Sequence, residues 1–223
     1  PTTALFDKSH CLYGLEHARQ AVSQSGTAVV VEGYTDCIMA HAHGITNVVA
    51  TLGTSLTAGH ARILKRYARK IVLVFDNDIA GIEAANRALE ICVAQRVDIK
   101  ITSVPQGKDP CDFLLAEGKE SFQRLIDSAE DIFAFKWKRL TEKFAEDKSI
   151  VENKAAVEEF LQTVATAVAA GNLSAIDRGL LANRIGSIVG LDQKAVTREL
   201  NRRTRRLART QGYGRAAGTE NQK

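Results

Sequence analysis

Asp76 and Asp78 stand two residues apart, directly behind the apolar run Ile71-Val72-Leu73-Val74-Phe75. A short run apolar on both faces suits a buried central strand of a parallel sheet. Open α/β sheets collect ligands beyond the carboxyl ends of such strands. If extended geometry continues through Asn77, the period of two points both carboxylates the same way. Two anions side by side repel, and burial strengthens the repulsion. The ordinary remedy is a hard divalent cation with oxygen ligands, which suggests Mg²⁺. A plainer reading suits a lone aspartate, which ends a strand and caps the next helix. It accounts less well for D-x-D after an all-apolar strand.

Two more acids occupy comparable places. Glu32 follows the apolar run Ala28–Val31, and Asp109 lies just past the alternating stretch Ile99–Thr102. If these strands are neighbours in one parallel sheet, their acidic ends share a rim. Lys108 is the obvious counter-charge nearby in sequence. One or two Mg²⁺ ions would relieve the repulsion and form a phosphoryl-transfer site, activating a hydroxyl and steadying charge on the reacting phosphate. No His/Ser/Asp triad is suggested. The five histidines (His10, His17, His41, His43, His60) fall in expected loops or helix surfaces and read as structural or solvent-exposed. Tyr34, two residues past Glu32, reads as packing rather than as a nucleophile, and Lys8 taken alone reads as a surface lysine.

Placing these acids requires strands and helices in alternation. Leu12–Ser23 has helical spacing, with Leu12, Leu15, Ala18 and Val22 near one face. After the first strand, Gly33 allows a sharp turn, Thr35 or Asp36 can cap a helix to about His43, and Gly44 stops it. Asn47–Ala50 is a second strand. The loop Thr51–Ser55 could offer N–H groups to phosphate, though an ordinary turn explains it as well. Thr57 is expected to cap a helix through about Lys70, and Ala80–Gln95 carries Ile82, Ala85, Leu89 and Val93 on one face. Residues 26–118 therefore read as an α/β domain with a parallel sheet. From Ser121 onward strand signals vanish. Ser121–Ser128, Ile132–Phe144, Val151–Ala170, Ala175–Val189 and Lys194–Leu207 are helical in period, so 119–208 reads as a small all-α subdomain. Residues 209–223 read as a disordered tail.

Composition narrows the setting. At 45% hydrophobic and 25% charged, the 223 residues suit a soluble globular chain with a real core. No apolar run approaches the roughly 20 residues of a membrane span, and no signal-peptide pattern opens the chain. The cysteines (Cys11, Cys37, Cys92, Cys111) are scattered without a C-x-x-C, so neither a zinc site nor a disulfide framework is indicated. A reducing cytoplasm is the expected compartment. The net charge of +4 says little, but Arg198–Arg209 holds six arginines against one glutamate. That run could meet nucleic-acid phosphate, or be a solvated helix end or tail.

Glu32 in VVVEGYTD and the D-x-D of FDNDIAG together resemble the toprim domain shared by bacterial primases, topoisomerases and some nucleases. The longer text is more specific. LFDKSHCLYGLEHAR, VVEGYTDCIMAHAHGITNVVATLGTSLT, LKRYARKIVLVFDNDIAGIEAANRALE and PQGKDPCDFL together resemble bacterial DNA primase of the DnaG type, in order, over Leu5–Leu115. LDQKAVTRELNRR resembles the close of that family's RNA polymerase domain. The resemblance implies a toprim-type parallel sheet flanked by helices, then a helical subdomain, with residues 1–25 the remnant of a preceding subdomain. It implies RNA-primer synthesis for replication, from nucleoside triphosphates on a single-stranded DNA template, with Mg²⁺ or Mn²⁺. Glu32, Asp76 and Asp78 match the catalytic acids, and with Asp109 they match the metal ligands. Lys8 and Asp36 match positions linked to nucleotide or template binding. Where the family often has an aspartate after the KDP proline, Cys111 stands here, and Asp112 is the open candidate for its place. Asn77 replaces a frequent glycine, which a non-ligand position tolerates.

No Cys/His zinc ribbon and no extended helicase-binding domain is found in the sequence. The chain is therefore expected to be a catalytic fragment, starting without a Met. Zinc and the replicative helicase would be met through parts outside it. Such a fragment is expected to bind metal and nucleotide and to prime poorly or not at all. The competing readings are a toprim nuclease, which directs water at a phosphodiester with the same acids, and a non-catalytic nucleic-acid-binding module. A topoisomerase fits less well, for want of a separate domain supplying the tyrosine that must carry the DNA.

Overall fold

The computed structural model describes residues 7–75, 82–104, 109–142, 150–171 and 173–217, with backbone alone in 82–85, 150–153 and 210–217. Asp76, Asp78 and Lys108 lie outside the described residues. The chain forms two compact units, Pro1–Phe135 and Lys136–Lys223. None of the described helices is long and apolar enough to cross a membrane.

In the first unit, the described residues form one sheet from β1 (Thr27–Val31), β2 (Val48–Ala50), β3 (Lys70–Phe75), β4 (Asp98–Ser103) and β5 (Glu130–Asp131). The order is β2-β1-β3-β4-β5, with parallel pairing throughout except for β5, which is antiparallel to β4. The four expected strands are all present. β5 was not legible, because two polar residues carry no period. Between strands run α1 (Leu15–Ser25), α2 (Tyr34–Ala42), α3 (Ala58–Leu64), α4 (Ile82–Gln95) and α5 (Pro110–Asp127).

β1, β2 and β3 are apolar because both of their faces are covered. Val29, Val31, Val72 and Val74 join Cys37 and Ala40 of α2 and Phe113, Leu114 and Phe122 of α5 in one cluster. The alternate residues Ala28, Val30, Ile71 and Leu73 are also buried. Burial of each such Val, Ile or Leu side chain contributes roughly 1.5–3 kcal/mol. Phe122, Ile126 and Ala129 belong to the same cluster, so α5 and β5 group with the sheet, and this unit runs on to Phe135. The sequence reading had set the change at residue 118 and counted Ser121–Ser128 among the later helices. The break expected near residue 118 is present all the same: Gly118, at φ 77° and ψ 178°, separates two helical pieces of α5, the second of which runs through the expected Ser121–Ser128 helix to Asp127.

α3 is shorter than its periodicity suggests. It ends at Leu64 because the chain must turn into β3, where the N–H groups of Arg69 and Lys70 both donate to the carbonyl of Gly26. Thr57 caps it as expected, accepting from His60 N–H at 3.1 Å.

The segment before α1 is fastened to α3. Thr57 Oγ1 donates to the Ser9 carbonyl at 2.6 Å, and His60 Nε2 lies 2.6 Å from the Lys8 carbonyl. A Cβ at Gly59 would come within 2.5 Å of the Ser9 carbonyl oxygen, so glycine there lets the two backbones touch. His60 is thus a buried tie, with 0% exposure, rather than a surface residue.

The second unit is helical: α6 (Ile132–Glu142) enters it, and α7 (Ile150–Ala170), α8 (Ala175–Val189) and α9 (Gln193–Ala217) follow. Phe160, Val164, Ala182, Ile185, Val196 and Leu200 are buried, and Trp137 meets Phe160 edge-on with centroids 5.6 Å apart. Ser174 and Asp177 close a capping box on α8, and Asp192 caps α9 through the N–H groups of Lys194 and Ala195. α9 continues as helix past residue 208, where the sequence reading had begun a tail.

The His60 tie has a pH signature. Nε2 donates to the Lys8 carbonyl and Nδ1 accepts from Thr57 N–H, so the ring is neutral. Burial pushes its pKa below the ordinary 6.5, against the opposing pull of the Lys8 carbonyl. The stability held by neutral His60 is complete above 6.5 and is lost as pH falls, because the unfolded chain takes up the proton first. Urea midpoints followed from pH 7.5 to 5 should fall less steeply in His60→Gln than in the parent, and identical slopes would deny His60 this role.

Candidate active site

The carboxyl ends of β1 and β3 form the rim that positions the candidate acids. Val30 of β1 lies opposite Leu73 of β3 in the parallel register. Two residues further, Glu32 comes level with Phe75, whose successor in sequence is Asp76. Glu32 is half-buried, and its carbonyl accepts Gly53 N–H at 3.1 Å from the loop after β2.

Asp36 is the most constrained acid of the rim. It is 4% exposed. One carboxylate oxygen accepts Gly33 N–H and the other accepts Cys111 N–H, each at 3.1 Å. The side chain therefore ties the turn after Glu32 to the first turn of α5, across the width of β3. Hydrogen bonds from two backbone donors make a buried carboxylate tolerable. Gly33 serves a different purpose from the one its type suggests. Its φ is −92°, open to any residue, but a Cβ there would lie 2.8 Å from the Asp36 carboxylate. Asp36 thus acts inside α2 by closing its first turn, rather than as an N-cap.

Asp109 precedes Pro110 and caps α5, with Oδ1 accepting Asp112 N–H at 2.7 Å. Capping, the plain reading of a lone aspartate, thus holds for that oxygen. Asp112 itself is exposed. Between them the Cys111 thiol is pushed up, first by burial and then by the negative charges of Asp109, Asp36 and Asp112. The Cys37 thiol rises to about 11, from burial and the charge of Asp36. Both thiols report a negative field at this end of the sheet.

Cations approach from the loop after β2. Lys8 is half-buried, and its Nζ donates to the Leu52 carbonyl at 3.3 Å. Arg87 of α4 donates to Ser55 Oγ at 3.0 Å. The N–H groups of Thr51 and Gly53 bind the carbonyls of Val31 and Glu32, so the loop is an internal turn, with Leu52 held at φ 61°. Sequence reasoning missed Arg87. A helical arginine one turn beyond the D-x-D helix start was a usable signal. Tyr34, read as packing, is 56% exposed and meets Tyr13 edge-on at 6.1 Å.

The structure thus brings Glu32, Asp36, Asp109 and Lys8 to one end of one sheet, with Asp112 outermost. Among the described residues, no three His, Cys, Asp or Glu side chains close around a point that could hold a metal ion. The donors present at the rim are carboxylate oxygens with one neutral thiol, a set suited to Mg²⁺ or Mn²⁺ rather than to a soft metal.

A Toprim-like family model matches residues 29–114. A DNA primase of Clostridium acetobutylicum is 35% identical over 198 residues, covering 88% of this chain and 32% of that protein. The chain therefore spans about a third of that relative's length. A DNA primase domain from Pseudomonas aeruginosa superposes with a TM-score of 0.73 at 29% identity, over 92% of this chain and 62% of that one. A DnaG primase catalytic domain bound to single-stranded DNA superposes with a TM-score of 0.71 at 29% identity, over 87% and 61%.

Removing the Asp36 carboxylate should unfasten the rim. Asp36→Ala leaves two inward-facing backbone donors without their acceptor, at about 1–3 kcal/mol each, and Asp36→Asn can replace only one acceptor. Urea unfolding should rank the parent above Asp36→Asn and Asp36→Ala lowest. Amide exchange at Cys111 should quicken in both variants, and an unchanged rate there would show that the tie is dispensable.

Proposed function

This chain belongs to the DnaG-type family of bacterial DNA primases, and on that footing we propose that its sheet rim carries out nucleotidyl transfer, joining ribonucleotides into a primer on single-stranded DNA. The observation that carries the proposal is the parallel pairing of β1 with β3, with Val30 opposite Leu73, so that both strands run out toward the same edge of the sheet. Glu32, Asp76, Asp78 and Asp109 are the acids assigned to hold the divalent cation, with Asp112 on the outer edge where Cys111 offers no carboxylate. A Mg²⁺ or Mn²⁺ ion bound there would neutralise the charge that gathers on the reacting phosphate and its leaving oxygen.

The residues of the chain do the positioning. Lys8 and Arg87, both fixed on the loop after β2, meet the negative charge of an incoming nucleoside triphosphate. Asp36 positions the acids rather than touching substrate, since both of its oxygens hold backbone N–H groups. In the reaction, the 3′-hydroxyl oxygen of the primer bonds to the α-phosphorus of the nucleotide. The bond from that phosphorus to the bridging oxygen breaks, pyrophosphate departs, and the hydroxyl proton passes to solvent. The single-stranded template on the related catalytic domain supports the same template class here.

Calorimetric Mn²⁺ titration tests the acids without requiring turnover. Glu32→Gln should weaken binding at least about tenfold, the lower range for loss of groups that merely support a metal ligand. Equal affinity in parent and variant would remove Glu32 from the site. Incubation with labelled ribonucleotides, single-stranded DNA and Mg²⁺ then separates chemistries: oligoribonucleotide products accord with priming, whereas a shortened template would assign the rim to a nuclease.

A further inference from the structure

α9 divides its residues by side. Val196 and Leu200 are buried in the helical unit. Arg203 is half-buried and turned the same way, donating to the Glu158 carbonyl at 3.2 Å and to Gln162 Oε1 at 3.3 Å. The opposite side carries Arg198, Arg202, Arg205 and Arg209, all exposed, at intervals of four, three and four residues. With Asn201 and Arg206 they line a shallow surface concavity of ≈ 690 Å³. Glu199 pairs with Arg202 at 2.7 Å and with Arg203 at 2.6 Å. Glu199 and, at longer range, Glu158 act on Arg202, on a face that carries five arginines.

We propose that this arginine face binds the phosphate backbone of double-helical nucleic acid without regard to sequence. From Arg198 to Arg209 the helix rises about 16 Å, a length over which a duplex presents roughly ten negative charges. Guanidinium groups suit phosphate oxygens because their fork of donors can meet two at once. No apolar or aromatic side chain lines the face. A protein partner would need such an anchor at the centre of its interface, and a membrane surface would need an apolar helix side, which α9 keeps buried. Single-strand sites add aromatic platforms for the bases, and among the described residues none lines this face. What remains is recognition by charge density, highest on a duplex. The inference rests on the contacts of α9 and does not depend on the chemistry assigned to the rim.

The test follows binding of the whole chain to a fluorescent DNA duplex by anisotropy over a series of salt concentrations. The parent should bind with affinity falling linearly on logarithmic axes. The variant Arg198→Gln/Arg202→Gln/Arg205→Gln/Arg209→Gln should lose about 0.9 of slope for each phosphate contact removed, roughly 3–4 in total. The corresponding four-lysine variant should keep the parent slope. Two double variants, Arg198→Gln/Arg202→Gln and Arg205→Gln/Arg209→Gln, should each lose about half as much, and they keep the result readable if the quadruple variant fails to fold. Glu32→Gln should leave the slope unaltered, so failure at the rim and failure at α9 are separable. An unchanged slope in the glutamine variants would overturn the proposal, as would tighter binding of single strands than of the duplex. A polyglutamate peptide competing as well as the duplex would assign the face to an acidic protein instead.

Discussion

The register of β1 against β3 is the constraint on which the rest of the first unit depends. Val30 opposite Leu73 fixes where the two strands stop, and a slip of one residue would turn every side chain of β1 to the other face. Val29 and Val31 would then leave the cluster they share with α2 and α5, so core packing enforces the register. The acids gain their place from that enforcement. Glu32 is aimed by the burial of the four apolar residues before it.

The sheet alone does not bring Asp109 to the same place. β4 lies beyond β3, and residues 104–108 separate its last residue, Ser103, from Asp109 in sequence. The missing link is the Asp36 carboxylate, which holds the turn after Glu32 with one oxygen and the start of α5 with the other. The apolar contacts of α2 with α5 bring these helices together without fixing their ends, because the hydrophobic effect is not directional. A two-armed hydrogen bond from a buried charge is directional. It supplies at the rim the geometry that packing leaves loose.

How far the sequence alone reached follows from the same distinction. The four parallel strands and the extents of α4, α7 and α8 were legible because burial leaves an apolar signature on them. Thr57 was legible as a cap for a local reason, since it bonds within three residues of itself. Non-local ties were not legible. The bond from Asp36 to Cys111 spans 75 residues, and that from His60 to Lys8 spans 52. In both cases nothing in the local sequence named the distant partner. β5 escaped for want of a periodic signal.

The Asp36 fastening also leaves the side chain at position 111 free to vary. What Asp36 binds at position 111 is the backbone N–H, a donor that any residue except proline supplies. The side chain at 111 can change without loosening α5. The electrostatics do change. An aspartate would add a third fixed charge beside Asp109 and Asp112, whereas the Cys111 thiol, pushed up by burial and by those same neighbours, stays neutral at pH 7. The corner of the rim at α5 therefore carries less negative charge than an aspartate at 111 would give it, and Asp109 already has one oxygen engaged in capping.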